Sequence, residues 1–233
     1  MEKQLYQKLK SLGYQIRDDY LYVFVKPQYI ATPIYIFRHG ETQANITKKI
    51  SSFDESITEN SRHEIALAIE KMAATSKAQL FRVFCSPQRR ALQTAEIVCQ
   101  VLQQHGHNVY ELETDARLRE MELQNWENRT MKELIESDII AQKMFLHHDI
   151  FASPQGEGFF EVMERANSFA ELLNKHVDYT PIVISHAVTI TALKLLLGFP
   201  SHFYHNTGLF QWGKETMTIH NLGKKSNSDY FFR

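Results

Sequence analysis

Apolar residues fall into two patterns that alternate along the chain from about residue 33 onward. Short β-type apolar runs alternate with longer stretches in which apolar residues recur at helical spacing. The short runs lie at 33–37, 81–85, 109–112 and 181–185, and the helical stretches at 58–74, 90–104, 131–145, 158–177 and 188–197. This alternation predicts an α/β fold, a three-layer α/β/α sandwich with a mainly parallel central sheet.

The two ends of the chain depart from the alternation. Residues 1–32 combine a short basic, helix-like start with YQIRDDYLYVFVKP, which predicts a hairpin turning at Asp18-Asp19. We expect an N-terminal extension packed at an edge of the larger domain formed by 33–233, and a partner-binding or dimerising arm is the alternative. Near the other end, GLFQW and TMTIH predict a second hairpin.

Composition excludes several classes of function. The 233 residues suit one domain with a sizeable core, and 26 basic against 27 acidic side chains give no reason to expect nucleic-acid binding. No apolar stretch is long enough to cross a bilayer, and the N-terminus lacks the apolar segment of a signal peptide. Cys85 and Cys99 lie in apolar runs, typical of buried reduced cysteines. We therefore expect a cytoplasmic protein without membrane contact, and the oligomeric state stays open.

Charged side chains follow the predicted strands directly. Arg38 and His39 come after the first strand, Arg90 shortly after the second, Glu120 after the third and His186 after the fourth. Ligands of such folds bind at the carboxyl ends of the strands, so we expect these side chains to converge on one edge of the sheet. Each residue alone is more often a solvated or satisfied side chain, and the indication comes from their combination.

Two arginines, two histidines and a carboxylate are suited to a phosphoryl group. Arginine offers a planar fork of donors to a tetrahedral dianion. A neutral imidazole can attack phosphorus, a protonated one can donate to the phosphoryl oxygens, and a carboxyl group can protonate the departing alcohol. Gly40 would let backbone amides approach an anion, ahead of a helix beginning near Ala44.

These residues lie in motifs that resemble those of the histidine phosphatase superfamily, also called phosphoglycerate mutase-like. Residues 38–45 match its opening motif, Arg-His-Gly-x-Thr-x-x-Asn, and residues 86–95 resemble Ser-Pro-Leu-x-Arg-Ala-x-Gln-Thr-Ala, which assigns phosphate binding to Arg90 rather than Arg89. Residues 115–120, followed by Trp-Glu, are similar to the branch with a glutamate proton donor, and residues 183–186 resemble the second-histidine motif. The resemblance runs from about residue 34 to about residue 219.

The resemblance implies catalytic roles for five residues. His39 would attack phosphorus and become a phosphohistidine. Arg38, Arg90 and His186 would hold the phosphoryl oxygens and stabilise the charge of the transition state. Glu120 would protonate the leaving oxygen and then activate water for the second step.

The resemblance also implies binding residues and a partner. Thr42 and Asn45 would line the pocket and support the loop, and Glu157 would lie near the substrate entrance, in a turn similar to the family's Gly-Glu-Ser. Substrate binding would thus involve these residues together with the arginines and the second histidine. The expected partner is a phosphorylated small molecule, and neither a metal nor another cofactor is implied, because the arginines take the place of magnesium.

Four positions depart from the family pattern. Ala187 follows the second histidine in place of glycine, Asn128 and Asn60 replace two further glycines, and Gly158 stands where serine is common. Asparagine tolerates left-handed backbone better than most residues, so two of the changes should be mild. The departures bear on the choice of substrate more than on activity.

The leading hypothesis is a metal-independent phosphatase that hydrolyses phosphomonoesters of small metabolites. A cofactor-dependent phosphoglycerate mutase is the first alternative, although the compact stretch 118–123 lacks the Glu-Arg-x-Tyr-Gly sequence and the insertion usual in that branch. A catalytically idle protein that binds phosphorylated ligands is the second alternative. The complete set of two arginines, two histidines and a glutamate speaks against it.

Overall fold

The structure is a computed structural model that describes residues 15–17, 20–22, 34–78, 80–147, 156–173, 178–197 and 218–220. The strands are β1 (Gln15–Arg17), β2 (Tyr20–Tyr22), β3 (Ile34–Arg38), β4 (Leu80–Cys85), β5 (Asn108–Val109), β6 (Glu113–Thr114), β7 (Thr180–Ser185) and β8 (Thr218–His220). The helices are α1 (Gln43–Thr47), α2 (Glu59–Thr75), α3 (Arg89–Gln104), α4 (Met131–Ser137), α5 (Ile139–His147), α6 (Phe159–Leu173) and α7 (Ala187–Leu196). Two 3₁₀ turns, Ala116–Leu118 and Gln124–Trp126, lie between β6 and α4.

The central sheet is mainly parallel, as predicted. Its strand order is β5-β4-β7-β3-β8, and β6 also pairs with β4. All described pairings in this sheet are parallel except that of β8, which runs antiparallel to β3. The carboxyl ends of β3, β4 and β7 therefore lie side by side at one edge.

Buried side chains of β3, β4 and β7 pack on helices at both faces of the sheet. One core contains Phe84 and Val183 together with buried residues of α6 and α7. The other contains Val83 and Ile182 together with buried residues of α2 and α3. Side chains alternate in direction along a strand, so neighbours in sequence enter different cores, and the predicted three-layer sandwich is confirmed.

Two predicted elements are divided in the structure. The third predicted strand, 109–112, is instead two short strands, β5 and β6, separated by residues 110–112. The helix predicted for 131–145 is two helices because Asp138 caps the second one: its Oδ1 accepts hydrogen bonds from the backbone amides of Ile140 and Ala141. Its Oδ2 accepts from Nε1 of Trp126, which ties the helix pair to the preceding turn.

The chain ends are described only in part. Strands β1 and β2 pair antiparallel on either side of residues 18–19, with Gln15 opposite Tyr22. The rest of the N-terminal extension and the GLFQW half of the C-terminal hairpin lie outside the described residues, and the domain boundary at 32 stays a prediction. In the stretches that the structure covers, no helix combines the length and apolar character needed to span a membrane.

The departures from the family pattern have different structural settings. Asn128 adopts a left-handed backbone with a φ of 62°, as its replacement of glycine suggested. Asn60 lies in the first turn of α2 and has no positive φ, so the same expectation was wrong there. Ala187 is the buried first residue of α7, where the helix accommodates its methyl group.

Replacing Asn128 should test this backbone requirement. Asn128→Ala is expected to lower the free energy of unfolding by about 1 kcal/mol, because alanine tolerates the left-handed region less well, whereas Asn128→Gly should be neutral or slightly stabilising. Urea denaturation measures both, with Asn60→Ala as the matched control in a helix, expected within about 0.5 kcal/mol of wild type. An equal loss in both alanine variants would contradict the assignment.

Candidate active site

Parallel pairing brings the two predicted histidines together. Arg38 at the end of β3 lies opposite Ser185 at the end of β7, and the amide of His39 donates to the carbonyl of Ser185 at 3.0 Å. The ring centroids of His39 and His186 are 4.9 Å apart. Both rings are buried, with 2% and 0% of the residues exposed.

Hydrogen bonds fix the tautomer of His39. Its Nδ1 lies 2.7 Å from the carbonyl oxygen of Gly40. A carbonyl oxygen only accepts, so Nδ1 carries the proton. Nε2 then bears the lone pair, and it accepts a hydrogen bond from Nε of Arg90 at 3.2 Å. The nitrogen able to attack phosphorus therefore points at the guanidinium that would hold the phosphoryl oxygens.

Burial and nearby positive charge keep both histidines neutral, so His186 would donate to a phosphoryl oxygen through the one N–H of a neutral ring and not as the protonated histidine expected from the sequence. Burial, Arg90 and Arg38 hold the pKa of His39 well below its usual range, against the opposing hydrogen bond to Gly40. The pKa of His186 is lowered by burial, by Arg90, by His39, by Arg38 and more weakly by Arg165. Neither ring nitrogen of His186 has a hydrogen-bond partner within the described parts of the chain. Since buried polar groups are normally hydrogen-bonded, this ring is suited to a ligand that supplies an oxygen atom.

Arg90, rather than Arg89, is the arginine beside His39. Arg90 is 1% exposed, whereas Arg89 is on the surface. Nη1 of Arg90 donates to the carbonyl of Ser52 at 2.6 Å. Thr94, one turn along α3, accepts from the amide of Gly40 at 2.9 Å and donates to the carbonyl of Arg90 at 2.8 Å. The loop carrying His39 and the helix carrying Arg90 are thus joined through one hydroxyl group.

Glycine occupies position 40 for a different reason from the one expected. Its amide is bonded to Thr94 and so does not face an anion. A Cβ at this position would clash with Oγ of Ser61 and with Cδ1 of Ile65 in α2. Glycine is therefore required for close packing of the loop on the helix.

Thr42 and Asn45 support the loop by capping α1. The hydroxyl of Thr42 accepts from the amide of Asn45, and the side chain of Asn45 accepts from the amide of Thr42. Another amide of this helix, that of Ala44, donates to the carboxylate of Glu55. The expectation that this helix start faces a bound anion was wrong, because a protein carboxylate is its partner. Substrate contact by Thr42 and Asn45 stays a prediction.

Glu120 lies next to the second histidine. Its carboxylate accepts hydrogen bonds from the amide of Val188 at 3.2 and 3.4 Å and from the amide of Met121 at 3.0 Å. Val188 belongs to the first turn of α7, two residues after His186. The proposed proton donor is thereby fixed at the end of β7, on the same sheet edge as both histidines.

The segment leading to Glu120 is held through its backbone. Three carbonyls in succession accept hydrogen bonds from side chains of α6, β7 and α7. The donors are Arg165 to Arg117 at 2.7 Å, Ser185 to Leu118 at 2.7 Å, and Thr189 to Arg119. Such a segment has little freedom to move relative to the sheet.

Glu157 contributes to holding the segment that leads to Glu120, because it binds Arg165. It forms a two-bond ion pair with Arg165, at 2.7 and 2.9 Å, and both side chains are mostly buried. The backbones of Glu157 and Glu122 are also joined, at 2.7 Å. The carboxylate of Glu157 therefore has its hydrogen-bond partners within the protein. The role of Glu157 at the substrate entrance stays a prediction.

A cleft of about 210 Å³ adjoins Glu120. Its charged lining is predominantly acidic, since it contains Glu120, Glu122 and Glu127 but a single arginine, Arg119, that pairs with Glu122 at 2.8 Å. Burial, and secondarily Glu122, raise the pKa of Glu127 against the opposing charge of Arg90. Ile50, Phe53, Met121 and Leu123 add apolar surface.

Sequence reasoning missed several residues that shape the site. Arg165 and Thr189 lie in helices whose sequence pattern is defined by apolar residues, and nothing in the spacing sets these two side chains apart. Gln88, whose side chain contacts the amide of Glu120, did offer a signal, because it occupies the leucine position of the second motif. Across the described segments, no group of three or more metal-ligating side chains could hold a metal ion.

Comparison with known proteins assigns the family. The sequence model of the Histidine phosphatase superfamily (branch 1) matches residues 34–225. The chain belongs to the histidine phosphatase superfamily. It is 26% identical over 171 residues to the Citrobacter koseri protein named probable phosphoglycerate mutase GpmB, covering 72% of this chain and 76% of that one.

Solved structures of this superfamily share the fold. A mycobacterial glucosyl-3-phosphoglycerate phosphatase is 25% identical with a TM-score of 0.59, covering 73% of this chain and 82% of its own. Bacillus stearothermophilus YhfR is 30% identical with a TM-score of 0.59 at the same coverage. The α-ribazole phosphatase of Shigella flexneri is 26% identical with a TM-score of 0.59, covering 72% and 81%. Names of phosphatases and of a mutase among similar proteins support an enzyme that acts on phosphorylated small molecules.

The two buried histidines predict a pH-dependent stability. Below about pH 6.5, the ordinary pKa of histidine, the unfolded chain binds protons that His39 and His186 do not bind in the folded protein. The free energy of unfolding should therefore decrease as the pH is lowered from about 6.5, until the lowered pKa values of the two folded histidines are reached. His186→Gln should make this decline shallower in urea denaturation between about pH 6.5 and about pH 5. His63→Gln, on the exposed side of α2, is the control, and identical slopes in both variants would contradict the prediction.

Proposed function

We propose that this superfamily member is a metal-independent phosphatase that hydrolyses phosphomonoesters of small metabolites through a phosphohistidine on His39. The observation that carries the proposal is the fixed tautomer of that residue, with Nδ1 bonded to the Gly40 carbonyl and Nε2 facing Arg90. A neutral, oriented imidazole beside a guanidinium combines a nucleophile with a site for the group it attacks.

The first step transfers the phosphoryl group to the protein. Nε2 of His39 forms a bond to phosphorus while the bond from phosphorus to the ester oxygen breaks, and Glu120 gives its proton to that oxygen. The positive charge that develops on the imidazole is stabilised by the Nδ1–H bond to Gly40. Arg38, Arg90 and His186 hold the phosphoryl oxygens during the transfer.

The second step releases phosphate. Glu120, now a carboxylate, takes a proton from water as the water oxygen attacks phosphorus, and the bond from phosphorus to His39 breaks. The imidazole returns to its neutral form and Glu120 is again protonated. The same carboxyl group thus acts as acid and then as base.

A phosphoglycerate mutase is the alternative that the name of the Citrobacter koseri relative raises. A mutase must accept a substrate that carries a carboxylate beside the phosphate. In the adjoining cleft Glu120 is the proposed proton donor and Glu122 is paired with the one arginine, Arg119, which leaves the carboxylate of Glu127. Like charges repel, so Glu127 favours esters of uncharged alcohols and supports hydrolysis over phosphoglycerate interconversion.

Metal-free assays test the phosphatase. Protein treated with a chelator is expected to release phosphate from p-nitrophenyl phosphate, and His39→Ala should abolish the release, at least about 10³-fold, because the attacking nitrogen is lost. His63→Ala, whose ring is exposed on α2, is the matched control and should retain activity. Absence of turnover by wild type across a panel of phosphomonoesters would contradict the proposal, and ligand binding that is identical in wild type and His39→Ala would favour the idle binding protein.

A pair of substrates tests the choice between hydrolysis and the mutase. Glycerol 3-phosphate and 3-phosphoglycerate differ in one group, a hydroxymethyl in place of a carboxylate. We expect kcat/KM for hydrolysis of glycerol 3-phosphate to be about tenfold higher, because the carboxylate of Glu127 in the cleft repels the carboxylate of 3-phosphoglycerate. Glu127→Gln should narrow the ratio, and Glu70→Gln, exposed on α2, should leave it unchanged. Interconversion of phosphoglycerates stimulated by the bisphosphate would instead identify a mutase.

A further inference from the structure

Gln88 makes a contact with the proposed proton donor that its position along the chain does not require. It precedes the first residue of α3 and is 7% exposed. Its side-chain Oε1 accepts a hydrogen bond from the backbone amide of Glu120 at 2.8 Å, across 32 positions of sequence. The hydroxyl of Ser86 also donates to Oε1, at 3.4 Å.

The orientation of this side chain follows from its partner. A backbone amide only donates, so the oxygen of the Gln88 side chain, and not its nitrogen, must face Glu120. The other partner, Ser86, is a hydroxyl and can donate to the same oxygen. The contact therefore specifies a residue with an acceptor at this position.

Capping of its own helix does not account for Gln88. The residue occupies the N-cap position of α3, yet its side chain forms no hydrogen bond with that helix. Side chains at such positions commonly accept from the amides of the first turn. Here the acceptor is directed instead to the loop that carries Glu120.

We propose that Gln88 is a positioning residue that fixes Glu120 for proton transfer to the leaving group. This inference rests on the proposed function. Two residues after Gln88, Arg90 reaches Nε2 of His39. The start of α3 therefore positions both the arginine that contacts the nucleophile and the backbone of the proton donor.

Hydrogen bonds hold both the backbone and the carboxylate of Glu120 in this arrangement. Gln88 binds its amide, while the amides of Met121 and Val188 bind its carboxylate. Removal of the first contact leaves the carboxylate bonds in place but frees the backbone from which the side chain extends. Small displacements of a catalytic group slow proton transfer strongly, so the loss should appear where protonation limits the rate.

The leucine of the family motif supplies the natural test variant. Gln88→Leu keeps a side chain of similar size and removes the acceptor. The rate for p-nitrophenyl phosphate depends little on protonation, because its leaving group is a weak base, whereas an alkyl ester such as glycerol 3-phosphate requires the proton. We expect kcat/KM for the alkyl ester to fall about tenfold and kcat/KM for the aryl ester to change by less than about twofold, because kcat/KM reports the first transfer and not the hydrolysis of the phosphohistidine that both esters share.

Glu120→Gln is the reference variant. It should shift the ratio of kcat/KM for the alkyl ester to kcat/KM for the aryl ester in the same direction by a larger factor. Gln93→Leu is the matched control in the same helix. Its Oε1 accepts from the amide of Ile57 at 3.0 Å, so the variant removes the same kind of bond from another loop. We expect the ratio of the two kcat/KM values to stay at the wild-type value in this control.

Urea denaturation shows whether Gln88→Leu is folded, and Gln88→Met, unbranched and without an amide, serves as a second variant. An equal fall in kcat/KM for both esters, or no fall for either, in a folded variant would overturn the inference and leave the phosphatase intact. A wild-type protein inactive on both esters would instead contradict the proposed function, and the positioning role with it.

Discussion

The register of three parallel strands is the constraint on which the site depends. Arg38 lies opposite Ser185, and Cys85 lies opposite Ile184, so β3, β4 and β7 end together. A slip of one residue would exchange the two faces of a strand and move its apolar side chains out of their cores. The packing of Ile36 and Phe37 in β3, and of Ile182 and Val183 in β7, against opposite helix layers thus fixes where His39 and His186 emerge.

Sequence patterns predicted what depends on local spacing and on chain order. The alternation of strands and helices predicted the sandwich, the residues after each strand predicted which side chains lie at one edge, and the family motif indicated Arg90 rather than Arg89. Contacts between distant positions could not be predicted in this way. Asp138 divides a helix because it caps the second half and binds Trp126, and Gly40 is needed because α2 lies against it. Such requirements exist only after the chain has folded.

Charge is separated over a short distance within a chain whose formal net charge is −1. Arg38 and Arg90 lie beside two neutral histidines at the strand ends, while the adjoining cleft is lined by glutamates. The arginines are suited to a dianionic phosphoryl group, and under the proposed function the carboxylate of Glu127 would disfavour a second anionic group on the same molecule. The proposal therefore predicts that a substrate is selected by where its charge lies as well as by its total charge.

The hydroxyl of Thr94 has a consequence for motion. It is 2% exposed, and it bonds both the amide of Gly40 and the carbonyl of Arg90. The loop of His39 and the first turn of α3 therefore cannot separate without breaking one of these two hydrogen bonds. Thermal fluctuations move groups in a folded protein by several tenths of an ångström. A shared hydroxyl of this kind favours fluctuations in which the two segments move together, so neither segment has to be rigid for their relative placement to be kept.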